Sequence, residues 1–546
     1  MYKPRDTRVH TDNRFFIFGV RVLVFNLYLC CQTARRHNRI MASIFEALRS
    51  RVTNKHDFLQ KVQRQRPGNP FYLIVFLLVV MPIAFLISIP ATLIALFHRC
   101  FCRPTKQSNT LLNTTEVFDI TSSQAPYPTR SSRPIDVVVL GATGLAGGLL
   151  AEYLLTEHPS TTIAFAGRSK KKLEAVRQAL QSKTGVDTSG IQLIVADAFN
   201  LTSLFDMCRQ AKVIATTVGP FKRFGNLLYH ACAHSGTAYA DITGEPDWVK
   251  HMSKIYDSIA KKNGASLVSY CGVDSVPSEM GATEACAMFQ ETHGGDVDHV
   301  ETVVTRFKGG IPAGTFETVV GIVDGTDVVQ LPPLNAASNG KAAAMGKTKI
   351  VGLFNLPNYS AAFNQWTIPF FMGSTNAAAV RSSNSLVGFA PNIKYTERWG
   401  FPDFTSALLT YLSIFLILPI ITLPLLRKCG RAIGMLPKAG AGSAAYDEKV
   451  MLNGSISFLV AASGKDNNGQ NATTALRVSG LGDAGGAFTA VCHGSIAVLL
   501  ADTTKTKLYG AGLTPVATLG KALSESLLET GLIFLEPVLQ DDKLLK

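Results

Sequence analysis

From residue 135 onward the chain alternates two kinds of hydrophobic pattern. Short apolar runs rich in β-branched residues, IDVVVL (135–140), TTIAFA (161–166), IQLIVA (191–196) and VIATTV (213–218), predict strands buried on both faces. The stretches between them, beginning with LAGGLLAEYLL, predict helices. This alternation predicts a parallel sheet and continues to about residue 290. Residues 291–400 mix strand-like runs (HVETVVTRF, TKIVGLF) with Gly/Ala-rich turns, and strand and helix patterns resume at SISFLVAAS (455–463).

Two stretches depart from the pattern. Residues 71–97 hold no charged side chain, longer than the roughly 20 residues that cross a bilayer, and Pro82 and Pro90 predict a kinked span or a membrane hairpin. Leu408–Leu426 is a second uncharged run, interrupted by Pro419 and Pro424 and closed by Arg427 and Lys428. If the chain after residue 450 completes the same fold, both flanks of this run lie on one side of the membrane. A shallow hairpin or interfacial helix then fits better than a single pass. The expected organisation is a basic extension (1–70), a membrane segment (71–97), a Ser/Thr/Pro-rich linker (98–133), the first α/β domain (134–290), a second (291–400), an apolar insertion (401–430) and a C-terminal part that rejoins the fold (431–546). Met41 offers an alternative start.

Charge sharpens this picture. Of the net +14, +10 falls in residues 1–70, where fourteen Lys/Arg face four Asp/Glu; the remaining 39 basic and 35 acidic residues nearly balance. A basic segment beside an apolar run points to anionic lipid headgroups, and the folded part carries no nucleic-acid footprint. The ten cysteines include no CxxC pair and read as reduced thiols, with Cys100 and Cys102 as candidates for acylation beside the membrane; no metal site is expected.

The sharpest chemical signal is the turn after the first strand. Gly141, Ala142, Thr143, Gly144, Leu145 and Gly147 spell a GxxGxxG turn between a strand and a helix, the context in which glycines admit a dinucleotide pyrophosphate to a helix N-terminus. At the end of the second strand, where NAD enzymes place an acid for the ribose hydroxyls, stand Arg168 and Ser169. A guanidinium there suits a 2′-phosphate, so NADP(H) is expected rather than NAD; the lysines at 170–172 read as a solvated helix start. Asp197 ends the third strand near the adenine side; Thr217, Gly219 and Pro220 end the fourth near the nicotinamide side, although a buried strand threonine is an equally good reading of Thr217. The expected fold class is α/β: a Rossmann NAD(P)-binding domain plus an α/β second domain, with one or two membrane-associated apolar segments.

No tyrosine has a lysine four residues later, which removes the Tyr-xxx-Lys proton donor of short-chain dehydrogenases. Neither a His-Glu-x-x-His nor a Gly-x-Ser-x-Gly pattern is present. Candidate acid/base groups are Tyr239 and Asp241 in AYADITGE and Asp274 in SYCGVDSVPSEMG, with turn or helix capping as the structural alternative for both aspartates.

The ordered set GATGLAG, AGRS, VGPF, DITGE, CGVDSVPSEMG, GGIPAGTFET, GLGDAGGAF and GAGLTPVATLG resembles the saccharopine dehydrogenase-like oxidoreductases, a group that includes bacterial trans-acting enoyl reductases. The resemblance runs from about residue 134 to about 540 and leaves residues 1–110 outside it. It implies an NADP-binding Rossmann domain, a second α/β domain, a C-terminal segment returning to the first, and association with membranes or lipid droplets. It carries over no catalytic residue. Three functions follow for comparison: an NADP(H)-dependent reductase of a lipid or lipid-linked small molecule at an endomembrane or lipid-droplet surface, with its catalytic domain in the cytosol; a non-catalytic NADP-binding sensor or scaffold; and a true saccharopine dehydrogenase, for whose polyanionic substrate Arg306, Lys308 and Arg381 are a thin basic set. A homodimer is compatible with each.

Overall fold

The computed structural model describes residues 43–51, 128–273, 275–309, 355–390, 393–432 and 448–538, together with Phe316, Val320 and Leu436. The expected membrane segment at 71–97, the cysteines at 100 and 102, and Asp274 lie outside the described residues.

Two seven-stranded sheets organise the larger of the two units. The first contains β1 (Ile135–Leu140), β2 (Ile163–Gly167), β3 (Gln192–Val195), β4 (Ala211–Thr216), β5 (Ala238–Asp241), β6 (Ser266–Val268) and, from far down the chain, β13 (Gly510–Leu513). Its order, β13-β6-β5-β4-β1-β2-β3, and its parallel pairings are those of a Rossmann sheet extended by one strand. Val137, Val138 and Val139 are fully buried, as covering both faces with helices requires.

The second sheet is mixed: β7 (Asp296–Lys308), β8 (Asn358–Ser360), β9 (Gln365–Pro369), β10 (Lys394–Phe401), β11 (Ser455–Lys465), β12 (Asn471–Leu481) and β14 (Ile533–Pro537), in the order β14-β12-β11-β7-β10-β9-β8. β10 runs parallel to β7, and β11 antiparallel to it. The helix Val276–His293 follows β6, and its apolar positions Met280, Ala282 and Phe289 share one buried core with Phe458, Val460 and Val478 of the second sheet.

The helix Ala484–Ala501 is long and apolar enough to cross a membrane, yet 78% of it is buried. It is a core helix of the Rossmann layer: Ser495 Oγ lies 2.9 Å from Tyr153 Oη, and His493 Nε2 is 3.1 Å from the Ala240 carbonyl. The polar-looking N-terminal extension also contributes to this core. Ile44–Ser50 forms a helix whose Ile44, Phe45 and Leu48 are fully buried, with the Ile44 N–H donating to Glu152 and Arg49 paired with Glu157. Seven residues with three apolar positions give little local signal, because their partners lie about a hundred residues away.

The smaller unit contains Phe404–Thr422, a 19-residue helix of which 12% is buried. At about 1.5 Å per residue it extends roughly 28 Å, close to the thickness of a bilayer's hydrocarbon core. Arg427, on the next helix Pro424–Ala432, folds back to donate to the Ile421 carbonyl at 2.9 Å, satisfying an acceptor that the helix end leaves open.

Candidate functional site

The sheet order β3-β2-β1-β4 brings the ends of four strands to one edge, and the expected nucleotide residues stand along it. Gly141 follows β1 with φ +95°, a conformation that disfavours side chains; a Cβ there would lie 2.7 Å from Thr217 Oγ1. A Cβ on Gly147 would lie 2.1 Å from the Gly141 carbonyl oxygen. Gly144 caps the helix Leu145–Glu157 with no side chain bonded to the helix end and no acid in the first turn. This leaves N–H donors and the positive end of the helix dipole facing the crevice. Ala142 is buried beneath the turn; Thr143 and Leu145 are half-buried on it. The cradle therefore fits a pyrophosphate on geometry alone.

Arg168, immediately after β2, is exposed and makes no hydrogen bond or ion pair among the described residues. Its neighbour Ser169 caps the helix Lys170–Thr184, accepting from the Lys172 N–H at 3.4 Å. Asp197 follows β3 and accepts from the Phe199 N–H at 3.0 Å; the Phe199 ring, 47% exposed, lies 5.3 Å from Phe224. Thr217 donates its N–H to the Leu140 carbonyl and packs on the glycine turn, so its side chain locks β4 to β1. Gly219 is exposed and its bond to Pro220 is cis. Glu245 clasps the loop that follows, accepting from the Phe221 N–H at 2.7 Å and the Lys222 N–H at 2.9 Å.

The candidate acid/base pair is fully buried, and Asp241 takes the turn-capping place that was its structural alternative. Tyr239 donates to Asp241 Oδ2 at 2.7 Å, and neither side chain has exposed surface. Asp241 also accepts from Ser269 Oγ (3.2 Å) and from the N–H groups of Thr243 (3.0 Å) and Tyr270 (3.3 Å). It thus ties the ends of β5 and β6 together beneath the crevice floor, and Tyr239 packs against Tyr229. The pair thus holds the strand ends and the loops that follow them. Among the described residues no group of three His, Cys, Asp or Glu could hold a metal.

Residues 137–268 match the saccharopine dehydrogenase NADP-binding domain. A putative trans-acting enoyl reductase of Mycobacterium tuberculosis is 30% identical over 436 residues, 74% of this chain and 97% of that protein. The chain belongs to the saccharopine dehydrogenase-like oxidoreductases. Its cofactor is NADP(H), and its α/β class and family are those the motifs indicate. A lipid droplet localized protein of Caenorhabditis elegans is 38% identical over 191 residues, 34% of this chain and 44% of that protein. Apo saccharopine dehydrogenase (L-Glu forming) from Saccharomyces cerevisiae is a structural neighbour at 13% identity and TM-score 0.43, covering 74% of this chain and 99% of that one.

Two further acids of the same polar stretches, Glu245 and Glu279, have roles in this oxidoreductase that their sequence context does not reveal. Glu245 stood in the DITGE motif, but its role as a clasp depends on backbone N–H groups more than twenty residues away. Glu279 is fully buried in the helix Val276–His293 and accepts from the Val516 N–H at 3.1 Å, joining the C-terminal segment to the core. Burial raises the carboxyls of both Asp241 and Glu279 to about 7, with the surrounding hydrogen bonds pulling the other way. Their unfolded values lie at about 4. Each therefore stabilises the fold fully below that range, and the contribution is lost as pH rises through about 7. The unfolding midpoint is expected to fall between roughly pH 4 and 7. In Asp241→Asn and Glu279→Gln that fall should be shallower; thermal melts across pH that superimpose on wild type would refute the assignment.

Proposed function

We propose that this oxidoreductase reduces a carbon–carbon double bond conjugated to a carbonyl in a lipid or lipid-linked substrate, at a membrane or lipid-droplet surface. The observation that carries the reading is the presence, in one chain, of the nucleotide cradle and of an apolar 19-residue helix that the protein barely covers. β10 and β11, the strands before and after that helix, flank β7 in one sheet, so the apolar segment departs from and returns to one folded body. This favours a membrane hairpin or interfacial segment over a single pass. The names of the mycobacterial and nematode relatives point the same way, to enoyl reduction and to lipid droplets.

NADPH, when bound, supplies the hydride. The chain's own residues divide the remaining work. Gly141, Gly144, Gly147 and the first turn of Leu145–Glu157 seat the pyrophosphate; Arg168 holds the 2′-phosphate; Asp197 and Phe199 border the adenine side. Gly219 and Pro220, held by Glu245, shape the nicotinamide side, and the Tyr239–Asp241 pair fixes the strand ends below it. The test is to incubate the full chain in lipid nanodiscs with NADPH and trans-2-enoyl thioesters or enoyl lipids, following NADPH oxidation and the saturated product by mass spectrometry. Product is expected. Tight NADPH binding with no turnover on any enoyl substrate or lipid extract would overturn the reading in favour of a sensor or scaffold.

A further inference from the structure

We infer that an aromatic wall at the start of the helix Gly373–Val387 receives the apolar chain of the substrate, an inference that rests on the reductase reading above. The wall begins with an irregularity in the second sheet. Along β7 and β11, Val304 pairs with Phe458 and Arg306 with Ser457, so Thr305 is the extra residue of a bulge, its hydroxyl donating to the Ser457 carbonyl at 3.3 Å. A bulge of this kind re-aims the side chains beyond it. Val303 packs in the small cluster with Phe363 and Leu459, whereas Val304 belongs to the main core. After the bulge Phe307 also packs against that main core, although strict alternation from Val304 would send it to the opposite face.

On that side Phe307 meets Phe370 at 5.5 Å and Phe371 at 5.7 Å; Phe370 and Phe371 lie 4.7 Å apart, and Trp399 of β10 stands 6.1 Å from Phe370. Phe370 is 4% exposed, but Phe371, in contact with two of these rings, is 52% exposed. A large ring left half in water at the edge of a packed aromatic cluster is a surface that apolar matter would cover.

The wall adjoins the loop that leads to Glu245, and this adjacency selects its occupant. Met372 Cε lies 3.3 Å from where a Cβ of Gly244 would stand, and Thr375 Oγ1 donates to the Gly244 carbonyl at 3.3 Å. The next residue is Glu245, the clasp on the loop after Gly219-Pro220. A molecule whose reacting double bond sits at Gly219 therefore has Met372 and Phe371 in its onward path, and the four rings carry no charge. An acyl chain fits this path, whereas a small polycarboxylate would leave its charges unpaired there.

Burial of each methylene is worth up to about a fourfold change in affinity, so KM should fall two- to fourfold per added carbon until the wall is covered. Phe371→Ser should raise KM for long-chain enoyl thioesters about tenfold, while short-chain kcat/KM and NADPH affinity stay within about twofold; Phe371→Leu should restore most of the loss. A chain-length profile identical in Phe371→Ser and wild type would overturn the inference. A second measurement is independent of turnover: quenching of Trp399 fluorescence by a brominated palmitate analogue, with Trp399→Phe as the control. Quenching that weakens in Phe371→Ser supports the wall even if no enoyl substrate is reduced, in which case only the reaction assignment fails. Enoyl reduction without any Trp399 quenching would sink the wall and leave the reductase standing.

Discussion

Gly147→Ala is expected to weaken NADPH binding by at least about 100-fold while leaving the protein folded. The new methyl would stand 2.1 Å from the Gly141 carbonyl oxygen, 2.6 Å from its carbon and 2.9 Å from Thr217 Oγ1. The first two are backbone atoms, so no rotamer relieves the contact, and the turn must move away from the helix it serves. Displacing N–H donors that act together on one pyrophosphate costs about 3 kcal/mol, the equivalent of the stated change in affinity. The fold should survive, because Leu149, Leu150, Tyr153 and Leu154 anchor the remainder of the helix in the core. Gly148→Ala is the internal control: its methyl would meet only the Ala142 carbonyl oxygen at 3.7 Å. Ordinary helix propensity then predicts unchanged binding and a gain in stability of up to about 1 kcal/mol. Calorimetric titration with NADPH and thermal melts of both variants decide the matter. Wild-type affinity in Gly147→Ala would show that the turn is not the nucleotide seat.

The contrast between neighbouring glycines illustrates what a sequence can and cannot reveal. The strand–glycine–helix succession at residues 135–157 was legible because each part is local: a β-branched run, three glycines at fixed spacing and an apolar helix. Arg168 was legible for the same reason, one residue past a strand end. The fates of Tyr239 and Asp241 were not. Their motif leaves acid/base chemistry and turn capping open, and only the long-range placement of β5 inside the sheet, between β4 and β6, buries both. The helix 484–501 shows the converse, since its composition alone satisfies the criteria for a membrane span and only its packing under the Rossmann sheet shows otherwise. Phe371 was equally silent, because its place at the exposed edge of a ring cluster depends on packing against Phe307, sixty-four residues earlier, that no local pattern announces.

Arg168→Ala is expected to separate the two pyridine nucleotides. The guanidinium sits at the carboxyl end of β2, exposed and without a partner among the described residues, so its interaction energy is free for a ligand. A charge-assisted, two-pronged bond to a phosphate contributes about 2–3 kcal/mol. Its loss should weaken NADPH binding about 30- to 100-fold and leave NADH, which has no 2′-phosphate, within about twofold. Because the site is exposed, wild-type affinity for NADPH should fall with ionic strength, and the slope should flatten in the variant. Lys170, Lys171 and Lys172 are exposed on the following helix, and Ser169 is engaged with that helix's first turn. Alanine at a single lysine should therefore shift NADPH affinity only a few-fold. Arg168→Asp should go further, repelling NADPH while offering the ribose hydroxyls of NADH the carboxylate that NAD-dependent enzymes use at this position. Equal affinities of Arg168→Ala and wild type for both nucleotides would refute the phosphate role of Arg168, and the source of NADP selectivity would then have to lie elsewhere on the β2–β3 side of the crevice.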